Sequence, residues 1–245
     1  MNPKNLYEKQ FGEGKLVDYI SFPFLRKIFK RFDLNRENLA ASLLNNNEGK
    51  LLDVGCGDGS LIFKVRNKYN KVYGIDISPS CISRAQKLAK QNFPNDDGLY
   101  FFVCDIDKGI NFPDATFDTV TCLAVLEHIF DTYFVLGEIN RVLKNNGTLT
   151  LQVPNIAYLK YRIQLFFGKL PVTSSPFNWK EIGWDGGHLH YFTKKTLSKL
   201  LEESGFKIVK VSGSGLFAQF RNWYPSLLTG DIIIKAQKLK NEYRN

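Results

Sequence analysis

The 245-residue sequence has no run of the ~18 apolar residues that a membrane-spanning helix needs, and its amino terminus lacks a signal-like apolar stretch. Its four cysteines, Cys56, Cys81, Cys104 and Cys122, have no C-x-x-C spacing. Three of them fall in or beside apolar strand patterns or a glycine loop, so they read as reduced core thiols of a cytoplasmic protein. Internal repeats and low-complexity tracts are missing. So is the basic stripe interleaved with aromatics that marks a nucleic-acid enzyme, and no nucleic-acid partner is expected. The formal charge of +9 comes from lysines and arginines spread from Lys4 to Arg244, dense only at Arg26-Lys27 with Lys30-Arg31 and from Lys235 to Arg244. It reads as solvated surface, with attraction to an anionic acceptor or a membrane surface as the alternative.

What is present is ordinary globular usage, 44% apolar and 23% charged, in a length that suits one domain over residues 1–245. The chain is organised around Leu51-Leu52-Asp53-Val54-Gly55-Cys56-Gly57-Asp58-Gly59-Ser60, an apolar strand running into three alternating glycines and then a helical pattern. A chain turning from strand to helix under a ligand needs positive φ and no Cβ, which glycine provides. The spacing is G-x-G-x-G, not the dinucleotide G-x-G-x-x-G. Asp53, two positions before the first glycine, would repel a pyrophosphate and welcome an ammonium or a sulfonium.

With these residues in view, Leu51 to Gly59 resembles the signature of class I S-adenosylmethionine-dependent methyltransferases. Further motifs follow in the family's order. Val72-Tyr73-Gly74-Ile75-Asp76 is similar to the second strand, whose terminal acid takes the ribose hydroxyls. Phe101-Phe102-Val103-Cys104-Asp105 matches the third, whose Asp faces the adenine amino group. Phe117 to Cys122, then Leu126-Glu127-His128, matches the fourth. The resemblance covers Lys50 to about Lys210. It implies S-adenosylmethionine as cofactor, with Asp53, Gly55, Cys56, Gly57, Gly59, Asp76, Ile77, Asp105, Ile106, Cys122 and Leu123 as its contacts.

Strands are predicted near 50–55, 71–76, 100–104, 117–122 and 147–153, and helices near 60–69, 79–91 and 132–143, the last stopped by Asn145-Asn146-Gly147. Ser78-Pro79 supplies an N-cap with proline in the first helical position. Strands alternating with helices imply right-handed crossovers and a parallel sheet with ligands beyond its carboxyl edge. With final strands near 206–211 and 231–236, the resemblance implies a Rossmann-like α/β fold. Its seven-stranded, mostly parallel sheet carries helices on both faces.

Two additions are expected. Residues 1–48, with Tyr7, Phe11, Tyr19, Phe22, Phe24, Phe29 and Phe32, read as a helical cap in which Tyr7 or Phe11 reaches the cofactor or packs on the sheet. Residues 155–192 interrupt the alternation after the fifth strand and read as the acceptor-side wall. That segment holds an amphipathic helix from Tyr158 to Phe167, whose aromatic run reads as core packing, then Trp179, Trp184 and His188-Leu189-His190.

Methyl transfer from a sulfonium needs alignment and exclusion of water, and a base only where the acceptor must lose a proton. The three histidines, His128, His188 and His190, are the candidate bases. Structural roles are the alternative for each, and extended geometry would put the rings of His188 and His190 on one face. Some quinone-pathway O-methyltransferases of this fold carry a metal-binding E-x-x-E-H. Here Ala124-Val125-Leu126-Glu127-His128 lacks the first glutamate, so no metal is expected. Gly168 to Thr173 is similar to the MetW proteins, which makes a cofactor-binding accessory subunit the competing class. The expected activity is O-methylation of a small-molecule or saccharide-like acceptor, with a quinone or lipid acceptor at a membrane as the alternative.

Overall fold

The computed structural model describes residues 33–45, 49–174 and 187–239. The aromatics of the predicted cap from Tyr7 to Phe32, and Trp179 and Trp184, lie outside the described residues. The order is β1 (Asp33–Leu34), α1 (Arg36–Leu43), β2 (Lys50–Val54), α2 (Ser60–Val65), β3 (Lys71–Asp76), α3 (Pro79–Asn92), β4 (Leu99–Val103), β5 (Phe117–Leu123), α4 (Thr132–Val142) and β6 (Leu143–Pro154). Then come α5 (Leu159–Phe166), α6 (Lys194–Glu203), β7 (Phe206–Ser212), β8 (Gly215–Leu216), α7 (Ala218–Arg221), α8 (Pro225–Leu228) and β9 (Asp231–Lys238).

The main sheet runs β4-β3-β2-β5-β6-β9-β7. Strands β2 to β6 pair in parallel, and β9 is antiparallel to both β6 and β7. Chain order reverses between β2 and β5, which opens a crevice at their carboxyl ends. Alternation along β2 sends Leu51 and Leu52 to opposite faces. Leu51 and Val72 join Ile62, Val65, Ile82 and Ala85 of α2 and α3, whereas Leu52 and Ile75 join Leu136 and Ile139 of α4 and Leu197 and Leu201 of α6. The sheet is therefore covered on both faces, as the near-continuous apolar character of β2 requires.

Capping sets the ends of the helices. Ser78 Oγ accepts the Cys81 N–H at 3.2 Å with Pro79 at the first helical position, as the sequence suggests. Thr193 and Thr196 form a reciprocal capping box on α6. Helix α4 ends at Val142, not at Asn145-Asn146-Gly147, because neighbours already satisfy its last carbonyls. The Ala115 and Thr116 N–H groups donate to Arg141 and Val142, and Lys238 Nζ donates to Asn140 O and Leu143 O. Strand β6 therefore begins at Leu143, and Asn146 bends it at a φ of 62°. The helix expected over 60–69 stops at Val65 and finishes as a 3₁₀ turn, Arg66–Lys68.

The Tyr158–Phe167 segment is helical from Leu159, but its aromatics are not core. No residue of α5 is buried, and Phe166 and Phe167 are 83% and 69% exposed. Asn155 anchors the start of this insertion. It is fully buried, and its Nδ2 donates to Ser226 O and Thr229 O at 3.0 and 2.9 Å. β1 pairs with β8 in a second, two-stranded sheet that the sequence did not announce. Among the described residues, no helix is long and apolar enough to cross a membrane.

Candidate active site

The glycine loop leaves β2 at the crevice. The Gly55 and Cys56 N–H groups donate to Ile75 O at 2.8 and 3.0 Å, which ties the turn to the end of β3. Asp76 completes the tie, accepting Gly57 N–H at Oδ2 and Ser78 N–H at Oδ1, each at 2.9 Å. Gly55 has a φ of 71°, and a Cβ there would stand 2.2 Å from Val125 Cγ2, so no other residue fits. Asp53 is buried beneath the loop and accepts Thr121 Oγ1 at 2.6 Å. Burial pushes its carboxyl up to about 7, the Thr121 hydrogen bond opposes that rise, and the nearby Asp76 charge adds to it.

These elements frame a cavity of about 790 Å³ whose wall includes Asp53, Gly55, Cys56, Gly57, Asp76, Ile77, Asp105, Ile106 and Leu123. Two other expected contacts stand elsewhere. Gly59 is the N-cap of α2, and Cys122 is fully buried in the core because alternation along β5 turns it away from the crevice. The Asp105 carboxylate is 2.8 Å from Lys108 Nζ at the surface. All four cysteines are free thiols.

Beyond β5 the chain makes a tight turn, with Ala124 at a φ of 57°, and enters the 3₁₀ turn Leu126–His128. The Glu127 carbonyl accepts the Leu189 and His190 N–H groups at 2.8 and 3.1 Å, which fastens the end of the insertion to this turn. His188 thereby reaches Glu127, with Nε2 4.0 Å from Oε1, and its Nδ1 is 2.7 Å from Thr173 Oγ1. The rings of His128 and His188 stand edge to face at 4.7 Å. His128 Nδ1 is hydrogen-bonded to Gly187 O. A carbonyl only accepts, so Nδ1 carries the proton and Nε2 of the neutral ring holds the lone pair.

The histidines therefore separate. His128 and His188 line the cavity, whereas His190 turns towards Phe192, ring centroids 6.2 Å apart, and its Nε2 is buried without a hydrogen-bond partner. The segment is not a strand, so the two-residue spacing does not hold both rings on one face. Glu127 is the residue that the predicted site set omits, although Leu126-Glu127-His128 flags it directly after a strand. It is 1% exposed, burial pushes its carboxyl up to about 8, and its Oε2 has no hydrogen-bond partner among the described residues. Gln152 Oε1 is a second buried acceptor in the wall without a partner. Glu127, His128 and His188 each offer one ligand atom within 4.8 Å of the others, a constellation able to hold a metal ion.

The donor set fits S-adenosylmethionine. An acid-rich wall with unsatisfied acceptors suits a cation, Asp76 is placed for a diol, and the cavity is large enough for both cofactor and acceptor. Fold and site together define a class I S-adenosylmethionine-dependent methyltransferase. The family model described as methyltransferase domain matches residues 24–211, and the chain belongs to that family.

Among its relatives is the mitochondrial ubiquinone biosynthesis O-methyltransferase of Homo sapiens, 27% identical over 187 residues, 73% of this chain and 48% of that one. Another is the demethylmenaquinone methyltransferase of Bacillus subtilis, 32% identical over 185 residues, 69% of this chain and 76% of that one. The fold is also that of an S-adenosylmethionine-dependent methyltransferase from Mesorhizobium loti. The TM-score there is 0.62 at 18% identity, covering 82% of this chain and 97% of that one. The chain spans about half the length of the ubiquinone-pathway relatives it matches.

Asp76 can be tested directly. Two ribose hydroxyls on one carboxylate make charge-assisted bonds of ~1.5–3 kcal/mol each, so Asp76→Ala should weaken S-adenosylhomocysteine by about tenfold or more in calorimetry. Asp76→Asn, which keeps one acceptor for the loop N–H groups, should fall between. An unchanged dissociation constant in a folded Asp76→Ala protein would refute the assignment.

Proposed function

We propose that the protein transfers a methyl group from S-adenosylmethionine to a hydroxyl oxygen of a small-molecule acceptor, quinone-type or saccharide-like, with His128 as the base. The observation that carries this reading is the Glu127, His128 and His188 cluster, standing in the same cavity as the loop residues that fit the cofactor. The bound cofactor supplies an electrophilic methyl on a sulfonium. The chain's residues do the rest. Asp53, Asp76 and the glycine loop hold the nucleoside and amino-acid ends, Val125 and Ile129 help exclude water, and His128 Nε2 receives the hydroxyl proton.

No disulfide joins Cys56, Cys81, Cys104 and Cys122, which supports a reducing, cytoplasmic setting. The test is release of S-adenosylhomocysteine with a panel of hydroxylated acceptors. Tight cofactor binding with no turnover on any of them would favour an accessory, cofactor-binding role instead.

A second reading has its own observation. A carboxylate oxygen buried without a partner beside two histidines is what a divalent cation would satisfy, and Glu127 Oε2 is such an atom. Under this reading Glu127, His128 and His188 are ligands, and the cation would supply the charge that lowers the acceptor hydroxyl's pKa. The two readings use the same ring nitrogens and exclude each other. Equilibrium dialysis against Zn²⁺ or Mn²⁺ separates them. One retained equivalent that His188→Ala abolishes supports the metal, and none retained by folded protein sinks it.

A further inference from the structure

Three arginines line the cavity; Arg84 is bonded to Cys81 Sγ on its own helix, and the other two, Arg36 and Arg221, stand far apart in sequence. The β1–β8 pair brings them together. Its register sets Leu34 opposite Gly215, so Arg36, two residues after Leu34, starts α1 beside the segment that leads to Arg221 at the end of α7. The Arg221 guanidinium lies over the bare backbone of Gly215, where a Cβ would stand 2.9 Å from Nη2. Any side chain at Gly215 would push it away.

Neither arginine forms an ion pair with a carboxylate among the described residues. The one side-chain hydrogen bond that Arg221 makes among the described residues is a long one, 3.5 Å from Nη2 to Ser214 O, and its Nε is buried with no partner among them. Arg36 forms no ion pair among the described residues, although its charge reaches Glu37, Glu127 and Asp231 through space, as that of Arg221 reaches Asp231. The nearby acids are engaged elsewhere. Asp231 accepts the Ser214 N–H at 2.7 Å and the Ser214 hydroxyl. Glu37 accepts Ser60 Oγ at 2.8 Å and is bonded to Lys64. A planar guanidinium has five donors in a fork that matches carboxylate and phosphate oxygens, and a buried donor left unsatisfied is costly. That cost falls on Arg221 Nε, while Arg36, exposed at the mouth of the same cavity, keeps its fork open to a ligand. Tyr158 and Tyr161, rings 5.6 Å apart and edge to face, add aromatic surface to the same wall.

We propose that Arg36 and Arg221 bind an anionic group, a carboxylate or a phosphate, on the methyl acceptor, so that this cavity selects acidic hydroxylated compounds over neutral ones. The proposal rests on the reading that the acceptor is methylated in this cavity. It refines that reading by naming the charge of the substrate.

The test uses the full chain saturated with S-adenosylhomocysteine and three probes, 4-hydroxybenzoate, phenyl phosphate and the neutral methyl 4-hydroxybenzoate, titrated by calorimetry. The expected result is that at least one anion binds about tenfold tighter than the ester, and the tighter anion identifies the class. Arg221→Gln and Arg36→Gln should each remove most of that preference while S-adenosylhomocysteine affinity stays within about threefold. Arg221→Lys should restore only part of it, since a point charge lacks the fork. Equal binding of anion and ester, no binding of any probe, or an unchanged preference in both glutamine variants would overturn the proposal. Failure of the underlying reading looks different, because the protein would then not bind S-adenosylhomocysteine at all.

Discussion

Replacing His128 by alanine is expected to lower turnover by roughly 10²–10⁴-fold, the usual contribution of a positioned general base, while cofactor affinity changes by less than ~1 kcal/mol. The argument starts from the backbone. The turn after β5 and the end of the insertion are joined through the Glu127 carbonyl, and this places Gly187 O on His128 Nδ1. That bond fixes the tautomer that can accept a proton at Nε2. His190→Ala is the control, because its ring packs towards Phe192 and only its backbone N–H serves the join. Steady-state kinetics of both variants, with cofactor dissociation constants measured alongside, decide the matter. Wild-type turnover in His128→Ala would remove the base, and equal losses in both variants would point to a merely structural join.

The second large effect is on stability. Asp53 and Glu127 titrate in the folded protein at about 7 and about 8, against ordinary values of 3.8 and 4.5, chiefly because they are buried. The folded state thus holds these two protons more tightly than the unfolded chain does. Their contribution is whole below about pH 4 and is lost as the pH climbs through 7 to 8. At ~1.4 kcal/mol per unit, each shift corresponds to about 5 kcal/mol at most, and to less because buried sites relax. Unfolding free energies of ligand-free protein should therefore fall between pH 5 and pH 8, and Asp53→Asn should remove about half of the fall. A profile that rises over this range would contradict the burial of both groups. The cofactor's ammonium favours ionised Asp53, so affinity should strengthen up to about pH 7 and then level.

The half of the fold that builds the cofactor end was legible because its signals are local. Leu51 to Gly59 shows a buried strand and its turn within ten residues, and Ser78-Pro79 announces its helix. The acceptor side depends on contacts that no short window contains. Arg36 and Arg221 line one cavity by way of a two-residue strand pair, and α7 and α8 are four residues each, too short for a 3.6-residue period to show. Periodicity also misjudged α5, since an aromatic run has the same spacing whether it faces a core or solvent. Cys122 and Leu123 were both expected at the cofactor, and only the second lines the crevice. A strand alternates faces, and Cys122 turns to the core.

The antiparallel position of β9 has a consequence for how the molecule is made. Residues 231–238 lie between β6 and β7, so a nascent chain that has emerged only as far as Thr229 has no partner for β7 and none for the outer edge of β6. Until then the outer edge of β6, with Leu149, Leu151 and Val153, is an unpaired apolar template of the kind that recruits other chains. The cofactor crevice between β2 and β5 needs none of β9 and is encoded entirely upstream. During synthesis the protein is therefore expected to become able to bind its cofactor before it becomes safe from aggregation. A ribosome stalled in the last dozen codons before Ile232 would expose a chain that already binds ligand yet still needs a chaperone.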